Sequence, residues 1–328
     1  MRRREFIAGL GSAVAWPLVA RAQPSALPVI GFLSSASNAP PSLERTPKGF
    51  RAGLSEAGYF VGRNVTIEVF LANGRYDRLP ALADEMVRRQ VNLIVASGGL
   101  PSARAALAAT AKIPILFIVG IDPVELGLVP RINRPGGNAT GLSIYTTELL
   151  AKRLQLMREV MPHASLVALL VNPLSPAASV ETDDMERLAR EKGFRLLALQ
   201  ASSQGEVERA FASAVRDRAD ALLISADPFF ATRRNQTVAL AARHELPVVY
   251  PWKEYTEVGG LMSYGPSLTT AYHAIGLYAG RILKGADPGE LPVQFPTTFE
   301  FVINMKTAKA LGLTIPETLL ATADEVIQ

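Results

Sequence analysis

From residue 29 onward, short apolar runs rich in β-branched residues alternate with longer segments whose apolar residues recur every three or four positions. This is the pattern of βαβ units on a parallel sheet. Strands buried on both faces read as continuous apolar runs, whereas the helices covering them keep one polar face. Strands are predicted at residues 29–33, 65–70, 93–96, 115–119 and 140–143. Helices are predicted over 47–57, stopped by Gly58, over 77–90, with Leu79, Leu82, Ala83 and Met86 on one face, and over an alanine-rich stretch at 102–111. A helix over 147–160 carries Leu150, Leu154, Met157 and Met161 at spacings of four, three and four, which is a core stripe rather than a functional surface. The rhythm repeats with strands at 166–171, 195–199, 221–225 and 248–250. A glycine-bounded strand at 259–265, a helix over 268–283 stopped by Lys284-Gly285, a proline-punctuated connection at 288–296, a strand at 299–303 and a helix running to Leu311-Gly312 close the chain.

Two such arrays followed by a late helix and strand predict an α/β protein of two Rossmann-like lobes with parallel sheets, which exchange segments and are therefore joined by several crossings. The length of 328 residues agrees, because it exceeds what one hydrophobic core usually organises.

Composition changes the picture mainly by exclusion. The chain has no cysteine, which removes disulfides, thiolate nucleophiles, cysteine-ligated metals and an amino-terminal lipidated cysteine. Its histidines, His163, His244 and His273, are too far apart in sequence to suggest a metal site and lie on or after helices as structural residues. No cofactor is expected.

The net charge of +4 would suggest nucleic acid, but much of it sits at the amino terminus. Basic residues at 2–4 precede an apolar stretch at 7–19 and then Ala20-Arg21-Ala22-Gln23, the order of a secretory signal with an A-x-A cleavage site. Residues 1–22 are therefore expected to be a signal peptide cleaved after Ala22. A stretch of thirteen residues is too short to span a bilayer, which needs about 20. Arg3-Arg4-Glu5-Phe6-Ile7 also resembles the twin-arginine export signal. Cleavage would remove four arginines and one glutamate, a net +3 of the +4, leaving a mature chain near +1 with no basic, aromatic-interleaved groove for nucleic acid.

Specific blocks carry a family resemblance. They are Asp122-Pro123-Val124, Gly127-Leu128-Val129, Gly136-Gly137-Asn138-Ala139-Thr140-Gly141, Ala226-Asp227-Pro228, Ser263-Tyr264-Gly265, Leu283-Lys284-Gly285, Leu291-Pro292-Val293 and the long run at 298–316. Together they cover nearly the whole mature chain and resemble the ABC-transporter substrate-binding family that includes tryptophan-binding and tyrosine-binding members. The resemblance implies a type I periplasmic-binding-protein fold with three interdomain crossovers and a ligand held in the cleft. By analogy the first lobe takes 28–145 plus 261–290 and the second 146–260 plus 291–328. It also implies an ABC permease and ATPase encoded elsewhere, an amino-acid-like ligand, and a chain that works as a monomer.

In open parallel sheets, ligands gather beyond the carboxyl ends of strands, where helix amino termini point their free N–H groups outward. The loops at those positions hold Ser34, Ser35, Ser97, Gly98, Gly99 and Asp122 in the first array, and Asn172, Asp227, Trp252 and Glu254 in the second. Ser97-Gly98-Gly99 precedes a helix, so it is either a plain cap or a receiver for a ligand carboxylate. Asp122-Pro123 and Asp227-Pro228 read first as helix caps, and a ligand ammonium would require Asp122, Asp227 or Glu254 as its partner, with Asp227 preferred. Asn172 is either a turn residue or a polar contact. Trp252 and Tyr264 are suited to stacking on an apolar side chain, or to packing.

No G-x-S-x-G, Walker A, G-x-G-x-x-G or H-E-x-x-H pattern occurs, so a binding protein is expected rather than an enzyme. A periplasmic hydrolase lacks support, whereas a sensing module that presents its ligand to a membrane receptor stays open. Closure is expected to hinge at 143–145, 259–260 and 292–296.

Overall fold

The computed structural model describes residues 27–36, 46–144 and 149–328. The leader and Tyr145 of the first expected hinge lie outside the described residues. The first lobe is built from β1 (Val29–Ser34), α1 (Lys48–Glu56), β2 (Thr66–Leu71), α2 (Leu79–Arg88), β3 (Leu93–Ser97), α3 (Gly99–Ala109), β4 (Ile115–Val119) and β5 (Ala139–Ser143). Its strands form a parallel sheet in the order β2-β1-β3-β4-β5. β3, β4 and β5 are buried along their whole length, β4 as a continuous apolar run and β5 despite the hydroxyls of Thr140 and Ser143.

The second lobe begins with α4 (Leu150–Val160), β6 (Leu166–Val171), α5 (Ala178–Glu191), β7 (Arg195–Gln200), α6 (Gln204–Arg216), β8 (Ala221–Ile224), α7 (Pro228–Ala231), α8 (Arg234–Arg243) and β9 (Val248–Tyr250). Then come β10 (Met262–Pro266), α9 (Leu268–Leu283), β11 (Phe299–Asn304), α10 (Met305–Ala310), α11 (Glu317–Thr322) and β12 (Glu325–Ile327). The sheet order is β12-β11-β10-β9-β8-β6-β7. The start of α6 shows how local sequence sets an element. Ser203 Oγ accepts from the Glu206 amide at 3.4 Å, while the Glu206 carboxylate accepts from the Ser202 amide at 2.7 Å, a reciprocal arrangement close to a capping box.

Three features differ from the sequence-based expectation. The strand at 262–266 does not join the first sheet. β10 pairs in parallel with β9 and antiparallel with β11, so the crossing falls after Pro266 and not at 261. Conversely, the segment at 291–294 belongs with the first sheet. Gln294 donates its amide to Gly141 O at 2.9 Å and accepts from the Ser143 amide at 3.0 Å, and Thr140 Oγ1 donates to Leu291 O at 2.7 Å. Strand periodicity says which face is buried, not which neighbour a strand will choose. Finally, Gly259–Gly260 is a turn inside the second lobe, bonded back to Thr256 and Tyr255, and lies at no crossing.

α9 completes the first lobe although it follows β10 in sequence. It lies on α1 at a distance only glycine permits. A Cβ on Gly53 would stand 2.0 Å from the His273 carbonyl oxygen, and one on Gly276 would stand 2.3 Å from the Phe50 oxygen. The chain thus changes lobe between Ile144 and Leu149, and passes between lobes again at 266–268 and 294–299. One apolar cluster includes residues of both lobes, among them Ile118 and Ile144 from the first and Phe230 and Trp252 from the second. Such continuity corresponds to lobes in contact rather than splayed apart.

Candidate functional site

The carboxyl ends of the two sheets face each other across a cleft of about 160 Å³. Ser34 at the end of β1, Ser97 to Gly99 after β3, Val119 at the end of β4 and Ile144 after β5 form one wall. Ala226 and Pro228 after β8, and Trp252 after β9, form the other. The lining is mostly apolar with a few hydroxyl and backbone groups, the composition expected of a small-molecule site.

Gly98 sets the shape of the first wall. Its φ of +143° is closed to other residues, and a Cβ there would lie 2.5 Å from Ser35 Oγ, 2.6 Å from the Ser35 nitrogen and 2.8 Å from Ser102 Oγ. Ser35 is fully buried behind the loop and donates its hydroxyl to Gly98 O at 3.0 Å. This tight turn aims the start of α3 at the cleft. Pro101 in its first turn supplies no donor, so the free N–H groups come from the glycines and Leu100. An anion there would gain up to about 1 kcal/mol from the helix dipole. Ser97 Oγ lies 2.6 Å from the Tyr272 hydroxyl of α9, which ties the late-sequence helix to the same wall.

Asp227 occupies the opposite rim. Its Oδ1 accepts from the Phe229 amide at 2.9 Å, capping α7, and from Asn172 Nδ2 at 3.0 Å. It also accepts from the Tyr76 hydroxyl at 2.8 Å, a bond that crosses from the first lobe to the second. Burial pushes the Asp227 carboxyl up, against the pull of these donors. Burial and the facing carboxylate push the Tyr76 phenol up as well, so Tyr76 keeps its proton and donates.

A second chamber of about 480 Å³ adjoins the cleft and shares Ala231, Trp252, Leu268 and Tyr272 with it. Glu254 and Tyr255 line this chamber. Glu254 Oε2, Trp252 Nε1 and the Tyr255 hydroxyl are buried and have no hydrogen-bond partner. Burial raises the Glu254 carboxyl, with a further push from the nearby Glu257 and Glu300.

The structure therefore brings together Ser34, Ser97, Gly98, Gly99 and Trp252 in the cleft wall, with Ser35 as their support and Glu254 next door. Asn172 and Asp227 are engaged in the bond between lobes. Two of the expected residues lie elsewhere. Asp122 caps its own turn, accepting from the Val124 amide at 2.7 Å, and is not part of the cleft wall. Tyr264 stacks on Phe299, with ring centroids 6.2 Å apart, and meets Phe301 edge-on in the packing of the second sheet. The contacts of both are local to their own lobe. Sequence reasoning missed Tyr272, which sits within a helix that reads as core, and Tyr76, although the loop after β2 was a place to look.

Beneath the second-lobe strand ends, Arg153 of α4 donates Nε to Tyr264 O at 2.8 Å and is fully buried. Burial lowers its guanidinium to about 10 and raises the carboxyl of the buried Glu181 on α5 to about 7, the latter opposed by a hydrogen bond from Ser225. A carboxyl raised above its unfolded value favours the folded state while it is protonated. Its contribution is therefore full at acid pH and is lost as pH rises through 7. The unfolding free energy should fall between pH 5 and 8 by up to ~3 kcal/mol from this group. Denaturant titrations of Glu181→Gln should show that slope reduced, and an unchanged slope would refute it.

Comparisons with known proteins agree with this geometry. The profile of the family described as "ABC transporter substrate binding protein" matches residues 35–327. A tyrosine-binding protein of Clostridioides difficile is 29% identical over 273 residues, 83% of this chain and 78% of that protein. A Streptococcus pneumonia ABC domain solved in complex with L-Trp is 26% identical, with a TM-score of 0.79 over 92% of this chain and 100% of that one. A ligand-free, open structure of a Clostridium difficile substrate binding protein with adhesive properties is 25% identical, with a TM-score of 0.63 over 92% and 99% of the two chains. The two-lobed parallel α/β fold matches that of type I periplasmic binding proteins. The match of profile, relatives and fold over almost the whole length shows that this chain belongs to the ABC transporter substrate-binding protein family.

Proposed function

We propose that this chain is the periplasmic solute-binding component of an ABC importer, closing around one small amino-acid-like ligand whose aromatic or other apolar side chain fills the interlobe cleft. The observation that carries this reading is the cleft itself. Apolar groups of both lobes, Ile118, Val119, Ile144 and Trp252, surround it, and Gly98 and Gly99 at the amino terminus of α3, where helix N–H groups are free, line it as well. An apolar side chain and a carboxylate are the two chemical features such a wall accommodates. The tyrosine and L-Trp ligands of the two relatives support this ligand class.

Closure is supported by the Tyr76–Asp227 bond between lobes and by a fold nearer to the L-Trp complex than to the open, ligand-free relative at similar identity. The three crossings supply the hinges, and the closed form is what a permease and its ATPase would recognise. Binding alone is the function, without turnover, and the leader at 1–22 exports the chain.

Trp16 and Trp252 are the only tryptophans. In the full chain carrying Trp16→Phe, emission from Trp252 should shift on titration with aromatic or apolar L-amino acids, and the melting midpoint should rise in step. No response in either signal to any amino acid would remove this ligand class. Chemical conversion of a bound compound would remove the binding-only reading.

A further inference from the structure

We propose that the chamber beside the cleft is a cation subsite in which Glu254 holds the ammonium group of the ligand, while the apolar body of the same ligand lies in the cleft. The inference rests on the amino-acid-like reading above and adds the residue that selects for the amine.

Four observations lead to it. First, the chamber adjoins the cleft and shares Ala231, Trp252, Leu268 and Tyr272 with it, so the two spaces are separated by no more than these side chains and lie within one small-molecule length of each other. Second, Glu254 Oε2 is buried without a hydrogen-bond partner. A buried carboxylate oxygen left unpaired is costly, and a site that keeps one is organised for a partner that arrives later. Third, the other acid at the cleft is already engaged. Asp227 accepts from the Phe229 amide, the Asn172 amide and the Tyr76 hydroxyl, which leaves it committed to the helix cap and the contact between lobes. Fourth, two other residues lining the chamber, Trp252 and Tyr255, also keep a buried polar atom without a partner, so this wall holds polar groups unpaired as a space built for a polar ligand group would. Lys48 and Arg234 also line the chamber but are exposed, so solvent screens their repulsion of an incoming ammonium. The neighbouring Lys253 is paired with Glu300 at 3.1 Å and does not neutralise Glu254 directly.

The chemistry defines the class of ligand. It carries a primary ammonium within one small-molecule length of an aromatic or branched apolar body. An apolar acid without the amine would leave Glu254 buried and unpaired in the closed form. Specificity of this kind comes as much from the group that the wrong ligand leaves unpaired as from the ion pair that the right one forms.

The test is calorimetric titration of the full chain, as wild type and as Glu254→Gln, with L-tryptophan, L-phenylalanine, phenethylamine and 3-phenylpropionate. The wild type should bind the ammonium-bearing compounds at least about tenfold more tightly than 3-phenylpropionate, and Glu254→Gln should erase that preference. The ligand-free melting midpoint of the variant should hold or rise, because a buried charge has been removed, so a loss of binding will not reflect misfolding. Retention of the preference by Glu254→Gln would overturn the inference. So would failure of every ammonium-bearing compound to bind the wild type. Binding of phenethylamine but of neither amino acid, with the response lost in Glu254→Gln, would uphold the cation subsite and overturn the amino-acid reading instead.

Discussion

Gly98→Ala is expected to abolish ligand binding and to lower stability by about 2–5 kcal/mol, adding backbone strain to overpacking. At φ +143° an L side chain is disfavoured even in open space, and here the space is filled. The Ser35 and Ser102 hydroxyls can rotate away from a new methyl group, but the Ser35 backbone nitrogen at 2.6 Å cannot, because β1 holds it in place. The 98–99 loop must then move as a unit, which shifts the amino terminus of α3 and withdraws its N–H groups from the cleft. Denaturant unfolding and ligand titration read the two effects separately. Gly205→Ala is the matched control. That glycine lies in the first turn of α6, its Cβ would meet only the end of Arg209 at 3.5 Å, and alanine there should be neutral or stabilise by up to ~1 kcal/mol. Wild-type affinity in Gly98→Ala would show that this turn does not shape the site.

Asp227→Ala should have the second-largest effect. It removes the acceptor of three donors at once, leaving the Phe229 amide buried and unpaired, the Tyr76 hydroxyl without its cross-lobe acceptor, and Asn172 Nδ2 with only its 3.2 Å bond to the Tyr76 hydroxyl. Each such group costs about 1–3 kcal/mol. A total loss of ~3 kcal/mol is expected, together with weaker ligand binding. Tyr76→Phe separates the two roles, because it keeps the cap of α7 and deletes only the bonds between lobes, from Tyr76 to Asp227 and from Asn172 Nδ2 to Tyr76. Its stability should change by about 1 kcal/mol, which is nevertheless a roughly fivefold shift toward the open arrangement. Small-angle scattering of the ligand-free protein should accordingly give a larger radius of gyration for Tyr76→Phe than for wild type. Identical curves would mean that the Tyr76–Asp227 bond does not bias closure.

Much of the fold was legible because burial leaves a local trace. β4, β6 and β9 fall at the predicted residues, and β1 and β3 within one residue of prediction, since a strand covered on both faces must be apolar throughout. α3 begins three residues earlier than its apolar pattern implied. Gly99 and Pro101 disfavour a helix interior but are tolerated in a first turn, so the helix start reaches the cleft. The short edge strand β12 left no pattern long enough to notice, and it exists because β11 offers it an edge.

For the site, the rule that ligands gather at strand carboxyl ends placed Ser34, Ser97, Gly98, Gly99 and Trp252 where the cleft is found. The same rule admitted Asp122 and Tyr264, because a loop position does not reveal whether a side chain turns inward to its own helix or sheet or outward to the other lobe. Tyr272 was hidden by its helical setting.

By itself, the sequence determined the α/β class, the two-lobed plan and the loops from which a site could be drawn, because hydrophobic periodicity and glycine placement act over a few residues. Only the tertiary structure decided that β10 joins the second sheet while α9 returns to the first, that Asp227 is occupied by Tyr76, and that Glu254 is left with an unpaired oxygen beside the cleft. Those are outcomes of which surfaces meet across long stretches of chain, and a partner 151 residues away leaves no mark on the local pattern.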